Sequence, residues 1–389
     1  MLRLPLNSNW KLFYKFWLSH DFVRVNVAFF NVYFIWFVYR HTMSVFLTGM
    51  IPSFSLVGLL SSLYLEGYLI DRFNRKKLFL ISNVLLLFLY STLTFEMSLL
   101  WLYALSFLSQ AITAISVDSL RAITKDILDK DELAKGISIS QIGRGGSYIS
   151  GDLLAGAFLV FFQRIFFVFF ITVVALSIIT LYDTVLKDVK LPLNREKTRY
   201  RDVFPYILAV LPVMTLSFIL AGSSSTLDVY SAYIISTYLQ SGVLWYTLFI
   251  VAFSAGSIIS GLYIAGHGTK TDIDNFFVLL MLPFAVLLLL ISFSTHAFEI
   301  VIAAILLGII SPFLTIKITI YITIKTPKEM IDRVNALYYT MIASNAPLLA
   351  FVYSALGAIF NPMRIIFYTE IVVILLLIPI YIYVERNLI

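Results

Sequence analysis

The sequence predicts an all-α integral membrane protein: twelve transmembrane helices in two pseudo-symmetric six-helix bundles. Three observations carry that expectation. Of 389 residues, 60% are apolar and 13% charged, with a mean hydropathy of +0.93, against about 45–50% apolar and about 25% charged in soluble domains. Apolar stretches recur along the chain, near the roughly 20 residues needed to cross a hydrocarbon core about 30 Å thick. Basic residues gather in alternate connections between those stretches.

Residues Met1 to His20 carry Arg3, Lys11 and Lys15 among Trp10, Phe13, Phe16 and Trp17. With no continuous apolar core, this segment reads as an interfacial amphipathic lead-in rather than a cleaved signal. Six spans follow at 21–43, 46–70, 78–95, 98–122, 133–160 and 164–186, and six more at 204–236, 242–265, 275–294, 297–324, 331–358 and 363–385. The longest polar stretch, KDVKLPLNREKTRYRD from Lys187 to Asp202, lies near mid-chain. The expected organisation is an N-terminal bundle with its lead-in at 1–186, a cytoplasmic linker at 187–203 and a C-terminal bundle at 204–389.

Of the 28 Lys and Arg residues, 22 fall on one side: the N-terminus, the connections after even-numbered spans and the C-terminus. The opposite connections hold Arg40, Arg164 and Arg364. Lys and Arg concentrate on the cytoplasmic side, which places both termini there and the protein in the cell membrane. The net charge of +6 is thereby a topology signal, and no nucleic-acid partner is implied.

Internal echoes point to duplication. GYLID from Gly67 recurs as GLYIA from Gly261, KDELAKGIS from Lys130 as PKEMIDRVN from Pro327, and GDLLA from Gly151 as APLLA from Ala346, at offsets of 194, 197 and 195 residues.

The chain lacks cysteine, its four histidines are scattered near span ends, and no HExxH, P-loop or dinucleotide fingerprint occurs. No enzyme, cofactor or metal site is expected. The expected partners are membrane lipid, a small-molecule substrate and a coupling proton.

The segment GYLIDRFNRKK, Gly67 to Lys77, lies where the second span leaves the membrane. Gly67 permits close helix contact, Asp71 suits a neighbouring helix N-terminus, and Arg72, Arg75 and Lys76 suit carbonyl ends or carboxylates. A basic loop that merely sets topology is the simpler reading, but the order of glycine, acid and bases is specific. It resembles the signature of the major facilitator superfamily between its second and third spans, matched by Gly67, Asp71, Arg72, Arg75 and Lys76, with Asn74 in place of a glycine. The resemblance implies a twelve-span transporter in which this segment latches one side during alternating access. A second stretch, DSLRAITKDILDKDELAKGIS from Asp118 followed by SGDLLAG from Ser150, is similar to the macrolide- and siderophore-exporter branch. Gly146, Gly151 and Gly156 match its glycine-rich fifth span, and Asp152 replaces its proline. This implies efflux by antiport.

Three ionisable residues within spans are candidates for coupling: Arg144, Asp152 and Asp228. Arg144 lies 12 residues beyond Glu132, about 18 Å along a helix. An intramembrane arginine faces an interior or aqueous cavity, either to couple transport or to lock backbone carbonyls. Asp152, eight residues on, is either a proton-exchanging carboxyl or a structural hydrogen-bonding group. Asp228, beside three serines in SSSTLDVY, is either another coupling carboxyl or a solvated helix end. Asn31, Tyr33, Tyr338 and Asn345 are candidates for an amphipathic substrate cavity. The expected function is secondary active transport, by proton-coupled export of a small amphipathic compound through alternating access. Uniport or symport uptake of an organic solute or metal cation is one alternative, and a non-transporting scaffold or receptor-like protein is another.

Overall fold

The computed structural model describes residues 8–94, 98–128, 130–161, 204–267, 276–326 and 331–388, some of them by backbone alone. Among them are eleven α-helices and no strand. They are α1 (Ser8–Thr42), α2 (Val45–Arg72), α3 (Arg75–Ser91), α4 (Leu99–Ile127), α5 (Lys130–Phe161), α6 (Phe204–Tyr233), α7 (Val243–His267), α8 (Phe276–Ile291), α9 (Ala297–Lys325), α10 (Ile331–Ile359) and α11 (Pro362–Leu388). Each corresponds to one expected span. The sixth span, at 164–186, and the linker at 187–203 lie outside the described residues. Seven of the helices are long and apolar enough to cross a membrane, and shorter apolar helices accompany them at Leu280–Ile291 and Leu348–Ile359.

The amino-terminal segment differs from its expected interfacial placement. From Ser8 onward it continues into α1 as one helix of 35 residues, about 52 Å long. Its aromatic side chains bury inside the protein. Phe16 packs with Phe79, Leu120 and Ile123, and Trp10 and Phe13 pack with Leu128 and Ile139. The Trp10 indole Nε1 also donates to Glu132 Oε1 at 2.7 Å, tying α1 to the start of α5. An amphipathic pattern reads the same whether its apolar face meets lipid or other helices, which explains the difference.

Packing divides the chain into two compact units, Met1–Phe34 with Phe54–Asn194, and Ile35–Ser53 with Arg195–Ile389. The tip of the α1–α2 hairpin thus belongs with the second unit, because its side chains are committed there. Trp36 stacks on Tyr246 with ring centroids 4.9 Å apart, and the Tyr39 hydroxyl lies 2.6 Å from Thr237 Oγ1. Gly49 sits where a Cβ would strike Ser354. Thr237 belongs to a π-helical turn, Ile234–Tyr238, that ends the long helix begun by α6.

Within the second unit α9 packs against α7 and α8, α10 against α6, and α11 against α6 and α8; within the first, α3 packs on α4. Close approaches occur at glycines. In the first unit a Cβ on Gly58 of α2 would strike the Phe107 carbonyl of α4, and in the second a Cβ on Gly256 of α7 would strike the Ile305 carbonyl of α9. Both pairs are related by 198 residues, as are the starts of α2 and α7, Val45 and Val243, and of α4 and α9, Leu99 and Ala297. Two helix pairs of equal register argue for duplication more strongly than the short sequence echoes do. In that register the Gly67–Gly261 echo, at 194, is one helical turn out of step. Left-handed turn residues repeat too: Met43 and Gln240, both at φ 50°, occupy the connections that follow the first and seventh spans.

Candidate functional site

The connection from α2 to α3 is short. Asp71 and Arg72 complete α2, while Gly67 and Asp71 are described by backbone alone. Asn74, where the sequence signature expects glycine, has φ −63° and ψ 118° and caps α3. Its Oδ1 accepts from the backbone N–H groups of Lys76 at 3.0 Å and Lys77 at 3.3 Å. The turn needs no positive φ, so glycine's freedom is dispensable, and the amide satisfies two otherwise orphaned donors. Arg75 Nη1 lies 2.8 Å from both carboxylate oxygens of Asp126 near the end of α4. This clamp joins the start of α3 to the end of α4. Arg72 is exposed and Lys76 half-buried.

In the first unit, α1 carries a largely buried ion pair. Arg24 Nη1 donates to Asp21 Oδ1 at 2.8 Å and to the Ser140 carbonyl of α5 at 3.3 Å. Gly143 makes room for it, since a Cβ there would meet the Asp21 carboxyl and the Trp17 indole. Gly151 likewise lets α5 approach the α1 backbone at Val25 and Phe29, whereas Gly146 faces open space. Two of the α5 glycines therefore serve close contact with α1. Asp152, next to Gly151, is 4% exposed. The side chain of Arg144 lies outside the described residues. Deeper in the unit, Ser116 Oγ donates to Asn83 Oδ1 at 3.3 Å, and Asn83 Nδ2 donates to Ser19 Oγ at 3.4 Å.

The second unit has its own polar interior. Tyr230 donates to the Tyr353 carbonyl at 2.6 Å, Tyr338 to Ser217 Oγ at 3.4 Å, and Asn345 Nδ2 to the Phe218 carbonyl. Among the described residues the buried Asn345 Oδ1 has no hydrogen-bond partner. Asp228 is on the accessible surface of its helix although Leu227, Val229 and Tyr230 beside it are buried. It lies ten residues inside the end of an apolar segment, Val210–Tyr238, so it is more than a frayed helix terminus. Of the four residues expected to line a substrate cavity, Asn31 is exposed, whereas Tyr33, Tyr338 and Asn345 are buried within their own units. Tyr33 stacks on Phe29, with centroids 5.6 Å apart.

Two acidic groups escape a reading centred on the fifth and seventh spans. Asp21 and Arg24 are opposite charges three residues apart on one helix, a pairing the sequence displays. Glu370 is the only acidic residue between Arg364 and Glu385 and is wholly buried in α11. Isolation in an apolar run is the signal that could have found it.

Among the described residues no group of three or more His, Cys, Asp or Glu side chains forms a metal site. The arrangement is that of helical units with polar groups held inside apolar spans.

Comparison with solved structures gives the same fold. A bacterial homologue of the human lysosomal transporter Spinster, in an inward-facing and unoccupied conformation, aligns over 98% of each chain with TM-score 0.73 and 12% identity. A POT family transporter in complex with 5-aminolevulinic acid aligns over 97% of this chain and 96% of its own, with TM-score 0.75 and 11% identity. The nucleoside transporter NupG aligns over 94% and 99%, with TM-score 0.73 and 8% identity. No curated protein matches the sequence. The family description "Major Facilitator Superfamily" matches residues 16–344, and with most of its length so matched the chain belongs to the Major Facilitator Superfamily, a multi-pass membrane protein built for secondary transport.

Proposed function

We propose that the protein exports a small amphipathic compound in exchange for protons, resembling the macrolide- and siderophore-exporter branch of its superfamily. The supporting observation is Asp228: a carboxyl on the accessible surface of α6, well inside an apolar segment. Intramembrane ionisable groups are costly and mark ion or proton paths. Asp152 and Arg144 on α5 remain the coupling candidates of the first unit. The segment Gly67–Lys76 would act as the latch of alternating access, and Asn31, Tyr33, Tyr338 and Asn345 as parts of the cavity that opens during the cycle.

The experiment is accumulation in proteoliposomes driven by an imposed pH gradient, using lipophilic cations, macrolides, siderophores and sugars. Wild-type protein is expected to accumulate at least one amphipathic compound only when the gradient is present. Asp228→Asn is expected to stop that accumulation while preserving downhill exchange. Asp152→Pro restores the family residue while removing the carboxyl; full pH-driven transport in that variant would remove Asp152 from coupling. Gradient-independent equilibration by the wild type would replace antiport with uniport.

The proposal places the protein in the cell membrane with both termini in the cytoplasm and two six-helix halves, 1–186 and 204–389, joined by a cytoplasmic linker. The cysteine-free chain makes this easy to check. Single cysteines at Asn194 and Asp332 are expected to react only from the cytoplasm, and one at Asn361 from outside. Outside labelling at position 332 would invert the second half and overturn the parallel repeat.

A further inference from the structure

The two short contacts of Glu370 point to a second protonatable centre that lies apart from Asp228. Glu370 sits eight residues into the apolar segment Pro362–Pro379, at its middle, and is 0% exposed. Ser223 is near the middle of Val210–Tyr238 on α6 and is 1% exposed. Ser223 Oγ lies 2.7 Å from Glu370 Oε1 and 2.6 Å from Oε2.

One hydroxyl has one proton to donate. It satisfies two carboxyl oxygens at such distances poorly, sharing that proton in a bifurcated bond. A second proton on the carboxyl resolves this: the Ser223 hydroxyl donates to one Glu370 oxygen, and the protonated oxygen donates back to Ser223 Oγ. Both contacts then become ordinary O–H···O bonds of the observed length.

Helices α6, α8 and α10 pack against α11. The titratable groups they carry include Asp228 and Tyr230 of α6 and Tyr353 of α10, while α8 contains no ionisable residue. Tyr230 is committed to the Tyr353 carbonyl. Among the described residues no Lys, Arg or His forms an ion pair with Glu370. An ionised carboxylate without a cation in such a place is expensive. Asp228 lies five residues along α6 from Ser223, about 7.5 Å away in rise.

We propose that Glu370 and Ser223 form a proton-binding site and that this site carries the coupling proton. The inference rests on the proton-coupled reading above. In each cycle the Glu370 carboxylate takes one proton from water on one side of the membrane, holds it against Ser223 while sealed from solvent, and returns it to water on the other side.

Two measurements on the full-length protein in lipid test this separately. In infrared difference spectra, wild type is expected to show the carbonyl stretch of a buried protonated carboxylic acid, and Glu370→Gln to lack it. Ser223→Ala is expected to keep that band but move it to higher frequency, because the carbonyl loses its hydrogen-bond donor; a merely structural role for Ser223 would leave the frequency in place. In proteoliposomes, Glu370→Gln is expected to lose pH-driven accumulation and keep downhill exchange, which also shows that it folds. Absence of the band from wild type, or unchanged pH-driven accumulation by Glu370→Gln, overturns the proposal and leaves proton-coupled export standing. Failure of the wild type itself to couple substrate to a pH gradient overturns the export reading, and the coupling role falls with it even where the infrared band is present.

Discussion

Replacing Gly256 with leucine is expected to prevent normal folding, and Gly58→Leu to do the same in the other unit. A Cβ at either position runs into a backbone carbonyl, of Ile305 or Phe107 respectively. A flexible side chain can swing aside, but a carbonyl fixed in a helix moves only if the helix moves. Overpacking of a tight core costs about 1–3 kcal/mol, and a contact with backbone belongs at or above the upper end. That is a large share of the roughly 5–15 kcal/mol by which proteins are stable. Gly261 provides the contrast, since nothing lies within 4 Å of its added Cβ. Gly261→Ala is expected to gain about 0.5–1 kcal/mol from helix propensity. Thermal melting in detergent with monodispersity as a second readout measures all three. Equal melting temperatures for Gly256→Leu and wild type would show that α7 and α9 do not cross at these residues.

Arg75→Ala is expected to abolish or strongly reduce transport while changing the melting temperature little. The Arg75–Asp126 pair is partly exposed, and pairs of that kind contribute about 0–1 kcal/mol to stability. Their value is positional: the guanidinium fixes the start of α3 to the end of α4, so a movement of one helix is passed to the other. Asp126→Asn is expected to resemble Arg75→Ala, and the exchanged pair Arg75→Asp with Asp126→Arg to recover part of the activity. Asp71→Asn is expected to lose transport with normal membrane insertion, because the basic residues that set topology remain. Wild-type transport rates in Arg75→Ala and Asp71→Asn would reduce the segment to a topology signal.

Helix number and order were legible because a span needs a long apolar run and a connection needs polar residues, and both properties survive in composition alone. The repeat was legible too, although its register was read one turn short at Gly261: glycine and aliphatic residues are common enough in spans for a five-residue echo to slip. The placement of Trp10, Phe13 and Phe16 was not legible, since apolar side chains facing lipid and facing helices follow one periodicity. A short polar connection after the second span was readable from residue order, but the partner of Arg75 was not. Asp126 lies 51 residues away, and only the pairing of α3 with α4 brings it near. Asn74 teaches the same lesson, because its capping bonds give a physical reason for what looks like a departure in sequence. Glu370 stood in plain view in an apolar run, whereas its link to Ser223 across 147 residues needed the fold.

Proton exchange for substrate is tested most directly by driving the reaction backwards. Proteoliposomes carrying a pH-sensitive dye are prepared with equal pH on both sides, then given a gradient of a transported compound alone. Obligatory antiport predicts that substrate entering the lumen drives protons out, so the lumen becomes alkaline in proportion to the substrate moved and stops doing so in Glu370→Gln. Substrate flux with no change in lumenal pH would contradict proton antiport.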